Sequence, residues 1–246
     1  MIDFHSHILP AIDDGAKDAV MAEKMLTKSA ESGVSDIVLT SHCYPRSEQH
    51  IERFLEKRAR SLEMLPDTQL NTYKGCEVHL TTDISKFRNI RKLCIENTNY
   101  MLLEMPFSQW RDEDVENVYK LTIMGINPII AHMERNAHQK IGLRNSLCDL
   151  EVLVQINAQS FGDRCLRKEI DRLMNEGLVH VIGTDMHNIT SRPPCMDRAL
   201  KIIKKRYGGE CIDYLENNAQ RILSGQKISY RDFKAFKKQS IFKKGR

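Results

Sequence analysis

The feature that most constrains this chain is that its short apolar runs end, one after another, in histidine or a carboxylate. Runs with strand character occupy residues 1–6, 36–41, 71–78, 100–105, 127–132, 152–157 and 179–184. The first closes on His5-Ser6-His7, the second on Thr40-Ser41-His42 and the third on Gly75-Cys76-Glu77. Three more close on Leu103-Glu104-Met105-Pro106, Ala131-His132-Met133-Glu134-Arg135 and Gly183-Thr184-Asp185-Met186-His187. A carboxylate following a buried apolar run carries a large desolvation cost unless a cation or hydrogen bonds compensate it. Parallel strands would bring all these ends to one rim, where a shared set of cations could do so.

Amphipathic segments separate the runs. Asp18 is a helix cap, Val20, Met25, Leu26 and Ala30 follow at helical spacing, and Gly33 supplies the stop. Further helices are expected at 48–63, 112–124, 166–176 and 196–207, with shorter ones near 84–92 and 143–149. Seven β-α alternations without hairpin signals predict a parallel sheet with helices outside. No glycine-rich phosphate loop follows any strand, which favours a closed barrel over an open nucleotide-binding sheet. The chain's 246 residues fit one such barrel. We read 1–225 as a single barrel domain and 226–246 as a basic C-terminal extension.

Cysteines 43, 76, 94, 148, 165, 195 and 211 are odd in number and never spaced C-x-x-C, which fits reduced thiols rather than disulfides or thiolate zinc. With no signal peptide and no apolar run of about 20 residues, the expected location is the cytoplasm, without a transmembrane segment. The net charge of +4 is concentrated in residues 231–246, where seven basic residues face one acid. The body is thus slightly acidic, unlike a nucleic-acid binder. In that tail Phe233, Phe236, Ile241 and Phe242 lie among lysines. It reads as solvated, with weak contact to an acidic membrane surface or a partner as the alternative.

Oxygen and imidazole donors without thiolate suit manganese, iron, zinc or magnesium. Asp13-Asp14-Gly15, after the first strand, adds carboxylates over the mouth. Arg135 and Arg192 each follow a ligand-bearing segment, and guanidinium matches phosphate bidentately. His50, His79, His138 and His180 fall outside the ligand set; His79, two residues beyond Glu77, is the one placed to support it. Thiol-dependent tyrosine phosphatases carry an arginine six residues after the nucleophilic cysteine, and no cysteine here has one. The G-x-S-x-G and H-E-x-x-H motifs are also absent.

Together with Asp3-Phe4-His5-Ser6-His7-Ile8 and Asp13-Asp14-Gly15, the strand-end motifs resemble the PHP (polymerase and histidinol phosphatase) superfamily. They most resemble its bacterial manganese-dependent protein-tyrosine phosphatases, encoded with capsular and exopolysaccharide genes. The resemblance implies a distorted (β/α)7 TIM-like barrel and three divalent ions: manganese, with iron, zinc or magnesium as alternatives. It places His5, His7, Glu77 and Asp185 on one ion, Glu77, Glu104 and His132 on a second, and Asp14, His42 and His187 on a third. It implies phosphotyrosine hydrolysis by a metal-bound hydroxide, with Asp14, His42 and His187 at the reacting centre and Arg135 and Arg192 on the phosphate. The implied substrate is a phosphotyrosine protein, a cognate bacterial tyrosine kinase that regulates capsule or exopolysaccharide synthesis. A small-molecule phosphoesterase such as a histidinol phosphatase is the alternative; Asp14 and Glu104, where other branches use histidines, favour the first. Met133, Thr184 and Met186 depart from the family's usual Pro, Ser and Ala without removing a ligand.

Overall fold

The computed structural model describes residues 1–239. Its strands are β1 (Ile2–Ser6), β2 (Asp36–Leu39), β3 (His42–Cys43), β4 (Asn71–Lys74), β5 (Glu77–His79), β6 (Tyr100–Glu104), β7 (Asn127–Ile130), β8 (Leu153–Asn157) and β9 (Val181–Gly183). The pairs between them are all parallel, in one piece ordered β1-β2-β4 and another ordered β3-β5-β6-β7-β8-β9. The runs expected at 36–41 and 71–78 are each split in two, at Thr40-Ser41 and Gly75-Cys76. There the amide of Glu77 is shared between the carbonyls of Thr40 (3.0 Å) and Ser41 (3.2 Å), so one-to-one pairing fails and the sheet bends. The result is a curled, incompletely closed parallel sheet, a distorted barrel.

At the seam between β1 and β9 the bonding is sparse. A single bridge joins Ser6 to Met186, flanked by Asp185 N–H to His5 carbonyl (2.7 Å) and His7 N–H to Met186 carbonyl (3.0 Å). A Cβ on Gly183 would fall 2.4 Å from His5 Cβ, so glycine is what lets the backbones approach this closely.

Helices α1 (Ala19–Glu31), α2 (Glu48–Glu63), α3 (Asp112–Ile123), α4 (Ile141–Cys148), α5 (Arg167–Asn175) and α6 (Met196–Tyr207) follow the amphipathic pattern. Asp18 caps α1 by accepting from the Met21 amide at 2.8 Å. The segment near 84–92 forms two short 3-10 turns instead of a helix. Helix α7 (Gly209–Leu223) was not anticipated: it follows α6 after Gly208 alone, and no side chain caps its start.

Strand alternation sorts the core into two layers. Ile2, Phe4, Val38, Tyr100, Leu102, Ile129, Leu153 and Val181 form one buried cluster, joined by Ala219 and Ile222 of α7. Intervening residues such as Ile37, Met101, Leu103, Ile130, Val154 and Ile182 pack instead with Met25, Ile51, Leu121, Leu173 and Ile203 of the surrounding helices. The first cluster therefore fills the barrel interior toward the strands' amino ends.

Beyond α7 the chain packs against the body. Phe236 is buried and its amide bonds the Met174 carbonyl (2.8 Å), while the Phe233 ring lies 4.0 Å from that of His180. These two rings pack within the protein, a correction to the solvated reading of the tail at these positions; Ile241 and Phe242 lie outside the described residues. Among the described residues no helix is long and apolar enough to cross a membrane. All seven cysteines are free.

Candidate metal centre

Above the apolar interior, the same inward phase turns polar. Two residues on from Leu102 comes Glu104; from Leu153, Gln155 and then Asn157; from Val181, Gly183 and then Asp185. In β1 the phase itself changes, because its register against β2 shifts between Asp3 and Ser6. Ile2 and Phe4 face inward below the shift, and His5 and His7 above it. Buried Asp3 pins this irregularity by accepting from the amides of His5 (3.2 Å) and Thr184 (2.8 Å) and from the Thr184 hydroxyl (2.6 Å). Burial raises its pKa to about 6 against those hydrogen bonds.

The nine residues expected as ligands meet in one place. His5 Nε2 and His7 Nε2 are 3.1 Å apart, and they lie 3.2 and 3.4 Å from Glu77 Oε2 and 3.6 and 3.4 Å from Asp185 Oδ1. His132 Nε2 faces Glu77 at 2.8 Å and Glu104 at 3.4 Å. His42 Nδ1 is 2.9 Å from Glu77, and Asp14 Oδ1 stands 3.6 Å from His42 and 3.3 Å from His187. Among the described residues three overlapping donor groups result: His7, Asp14, His42 and His187; His5, His7 and Glu77; and His42, Glu77 and Glu104. Their sharing of His7, His42 and Glu77 is the pattern of a trinuclear metal centre. Arg135 and Arg192 both reach in, at 2.9 and 2.7 Å from the two oxygens of Asp185.

The donor set fits divalent ions on several counts. Glu77 Oε2, His42 Nδ1 and His187 Nε2 are buried and make no hydrogen bond, although partners stand close; their lone pairs converge without being aligned to each other's protons. His132 and Asp185 hold positive φ, +33° and +54°, a strain that non-glycine residues adopt mainly at functional sites. The charge pattern agrees. Burial works to lower the pKa of His7, but Asp13, Asp185 and Glu77 outweigh it and hold it well above the usual value. For His132 burial is likewise overcome by Glu104 and Glu77, which lift it to about 10. Burial would raise Glu77, yet His5, His132 and His42 keep it well below the ordinary range. Burial, His7 and Arg192 push His187 down to about 4, leaving a neutral imidazole suited to ligation. A site that draws protons onto His7 and His132 offers the same attraction to a cation, and loading would release those protons.

Of the residues that support the ligands, Asp13 and His79 were singled out in the sequence, whereas Gln155 and Asn157 were not. Gln155 Oε1 accepts from His5 Nδ1 (3.1 Å) and from the His132 amide (2.9 Å), and its own amide donates to Asn157 (2.8 Å). Asn157 in turn donates to Asp185 Oδ2 (2.7 Å). Asp13 accepts from His7 Nδ1 (2.8 Å) and the His42 amide (2.9 Å), while His79 Nδ1 meets Glu104 at 2.7 Å. With Nδ1 of His5 and His7 so engaged, Nε2 is left to ligate. The missed signal was the pair of amides at 155 and 157 in an otherwise apolar buried strand.

Residues 1–224 match the family described as capsular polysaccharide synthesis, CpsB/CapC. The tyrosine-protein phosphatase CpsB of Streptococcus pneumoniae is 31% identical over 248 residues, covering 93% of this chain and 100% of the relative. The putative tyrosine-protein phosphatase CapC of Staphylococcus aureus is 32% identical over 240 residues, covering 93% of each. Among solved structures, one described with YwqE from Bacillus subtilis and CpsB from S. pneumoniae as metal-dependent tyrosine phosphatases superposes with a TM-score of 0.79. It is 25% identical and covers 98% of this chain and 100% of that one.

Proposed function

Because the chain belongs to the CpsB/CapC family of capsular polysaccharide synthesis, we propose that it is a metal-dependent protein-tyrosine phosphatase. The observation that carries this reading is the convergence of His5, His7, His42, Glu77, Glu104, His132, Asp185 and His187 from separate strand ends, with Asp14 beside them. We assign these nine as the ligands of three divalent ions, manganese by preference. Iron, zinc or magnesium would also suit the donors. When bound, such ions polarise phosphoryl oxygens and lower the pKa of coordinated water from 15.7 to about 7.

The chain's own residues do the rest. Arg135 and Arg192 flank Asp185 and are each about one-third exposed, so both guanidiniums can turn to grip the phosphate. Gln155, Asn157 and Asp13 orient the ligands. Phosphotyrosine departs as a phenolate whose pKa is near 10, needing less protonation than an alkoxide. Cys43 and Cys76 beside the site are buried, and burial pushes the Cys76 thiol well up, which makes it a poor nucleophile. We assign as substrate a cytoplasmic phosphotyrosine protein, the cognate tyrosine kinase of a capsule or exopolysaccharide system.

The test compares turnover of phosphotyrosine peptides, phosphoserine peptides and histidinol phosphate, with manganese and after chelation. Manganese-dependent hydrolysis of the phosphotyrosine peptides, abolished by chelation, is expected. Preference for histidinol phosphate would overturn the substrate assignment, and activity that survives chelation would overturn the metal mechanism.

A further inference from the structure

Two large aromatic side chains stand in solvent beside the metal centre. Tyr44 is 48% exposed and Phe107 is 67% exposed. Both line a cleft of about 200 Å³ together with Asp14, Glu77, Arg135 and Arg192. The other large exposed apolar residues among those described have no such setting: Val20 lies on α1, Met64 at the end of α2, Tyr119 and Ile123 on α3, and Ile141 on α4.

The two rings alternate with two histidines in a continuous row along the rim of the site. Ring centroids are 5.5 Å apart from His42 to Tyr44, 5.4 Å from Tyr44 to His79 and 5.9 Å from His79 to Phe107. The histidines are held in place, His42 against Glu77 and His79 against Glu104. His42 and His79 are largely covered, whereas the two outer rings are open. Leaving such apolar area in water is unfavourable. An aromatic ligand would cover it and stack with ring centroids about 4.5–7 Å apart.

We propose that Tyr44 and Phe107 form a specificity wall that receives the phenyl ring of the substrate while its phosphate lies between Arg135 and Arg192. This rests on the phosphotyrosine reading of the site and deepens it. A phosphoserine side chain has no ring to stack on the row, and its short arm would draw the peptide backbone down among the outer rings. Selection for aryl phosphates thus comes from contacts outside the reacting centre.

The test is calorimetric binding of phenylphosphonate, methylphosphonate and inorganic phosphate to the full manganese-loaded chain. The wild type is expected to bind phenylphosphonate more tightly than methylphosphonate. Tyr44→Ala and Phe107→Ala should each weaken phenylphosphonate roughly fivefold to tenfold while leaving the other two ligands within about twofold. Tyr44→Phe, which keeps the ring, should retain the wild-type preference. Parallel loss of all three ligands, or a wild type that binds both phosphonates alike, would overturn the wall. A chain that discriminates the phenyl group yet hydrolyses no phosphotyrosine peptide would fail the parent reading and leave the wall standing. Hydrolysis of such peptides without discrimination would sink the wall alone.

Discussion

His132 and His180 are both almost entirely shut off from water, and they occupy opposite ends of the barrel. At the carboxyl end of β7, His132 faces Glu77 and Glu104, which overcome burial and lift its pKa to about 10. At the amino end of β9, His180 accepts the Val154 amide through Nδ1, leaves Nε2 unbonded and packs on Phe233. Burial there acts unopposed and drives it down to about 3. Burial thus fixes how much a charge costs, and the neighbours fix its sign. One end of the barrel is built to hold positive charge and the other to exclude it.

Glu77→Gln should disturb that contrast most, because this carboxylate faces His5, His7, His42 and His132. It should lower kcat/KM on the order of 10³-fold or more, with loss of metal by elemental analysis. Full metal content in this variant would break the claim that the carboxyl end is the cation-holding one. Gln155→Ala removes no ligand but frees His5 and the His132 amide, and should weaken manganese affinity roughly 10–100-fold. An unchanged titration would mean that the donors need no such support.

His180 sharpens the comparison through pH. Its folded pKa of about 3 lies below the ordinary 6.5, so its neutral form stabilises the fold fully above pH 6.5 and this contribution is lost as pH falls toward 3. At pH 5 the loss is roughly 2 kcal/mol relative to pH 8. In urea unfolding, the stability lead of the wild type over His180→Gln should therefore shrink on acidification. A lead that stays constant or widens would contradict the assignment of His180 as buried and neutral. The smallest stability effect belongs to Asp14→Ala, whose side chain is 63% exposed and pairs only at the outer edge. It should leave stability within about 0.5 kcal/mol but reduce bound manganese per chain. Unaltered stoichiometry would remove Asp14 from the ligand set.

Strand ends were legible because a titratable residue closing an apolar run stands out against its neighbours, as Glu104 does after Tyr100-Met101-Leu102-Leu103. Helix α7 was not, since Gly208-Gly209 signals a turn while the helix begins there without a polar cap. The break at Thr40-Ser41 carries no local breaker, and the one at Gly75-Cys76 is marked only by a glycine inside an otherwise strand-like run, so neither was read until the shared Glu77 amide showed it. Arg135 and Arg192 could be named from their position after ligand segments, but their shared contact with Asp185 required the fold. Gln155 and Asn157 were overlooked because amides at inward strand positions suggest a function only once the barrel shows what they face.

Anomalous diffraction at the manganese edge, on crystals of the manganese-loaded chain, tests the central idea most directly. Three peaks clustered around Glu77 within the ring of His5, His7, His42, Glu104, His132, Asp185 and His187 are expected. Peaks elsewhere on the molecule, or none at that rim, would contradict it.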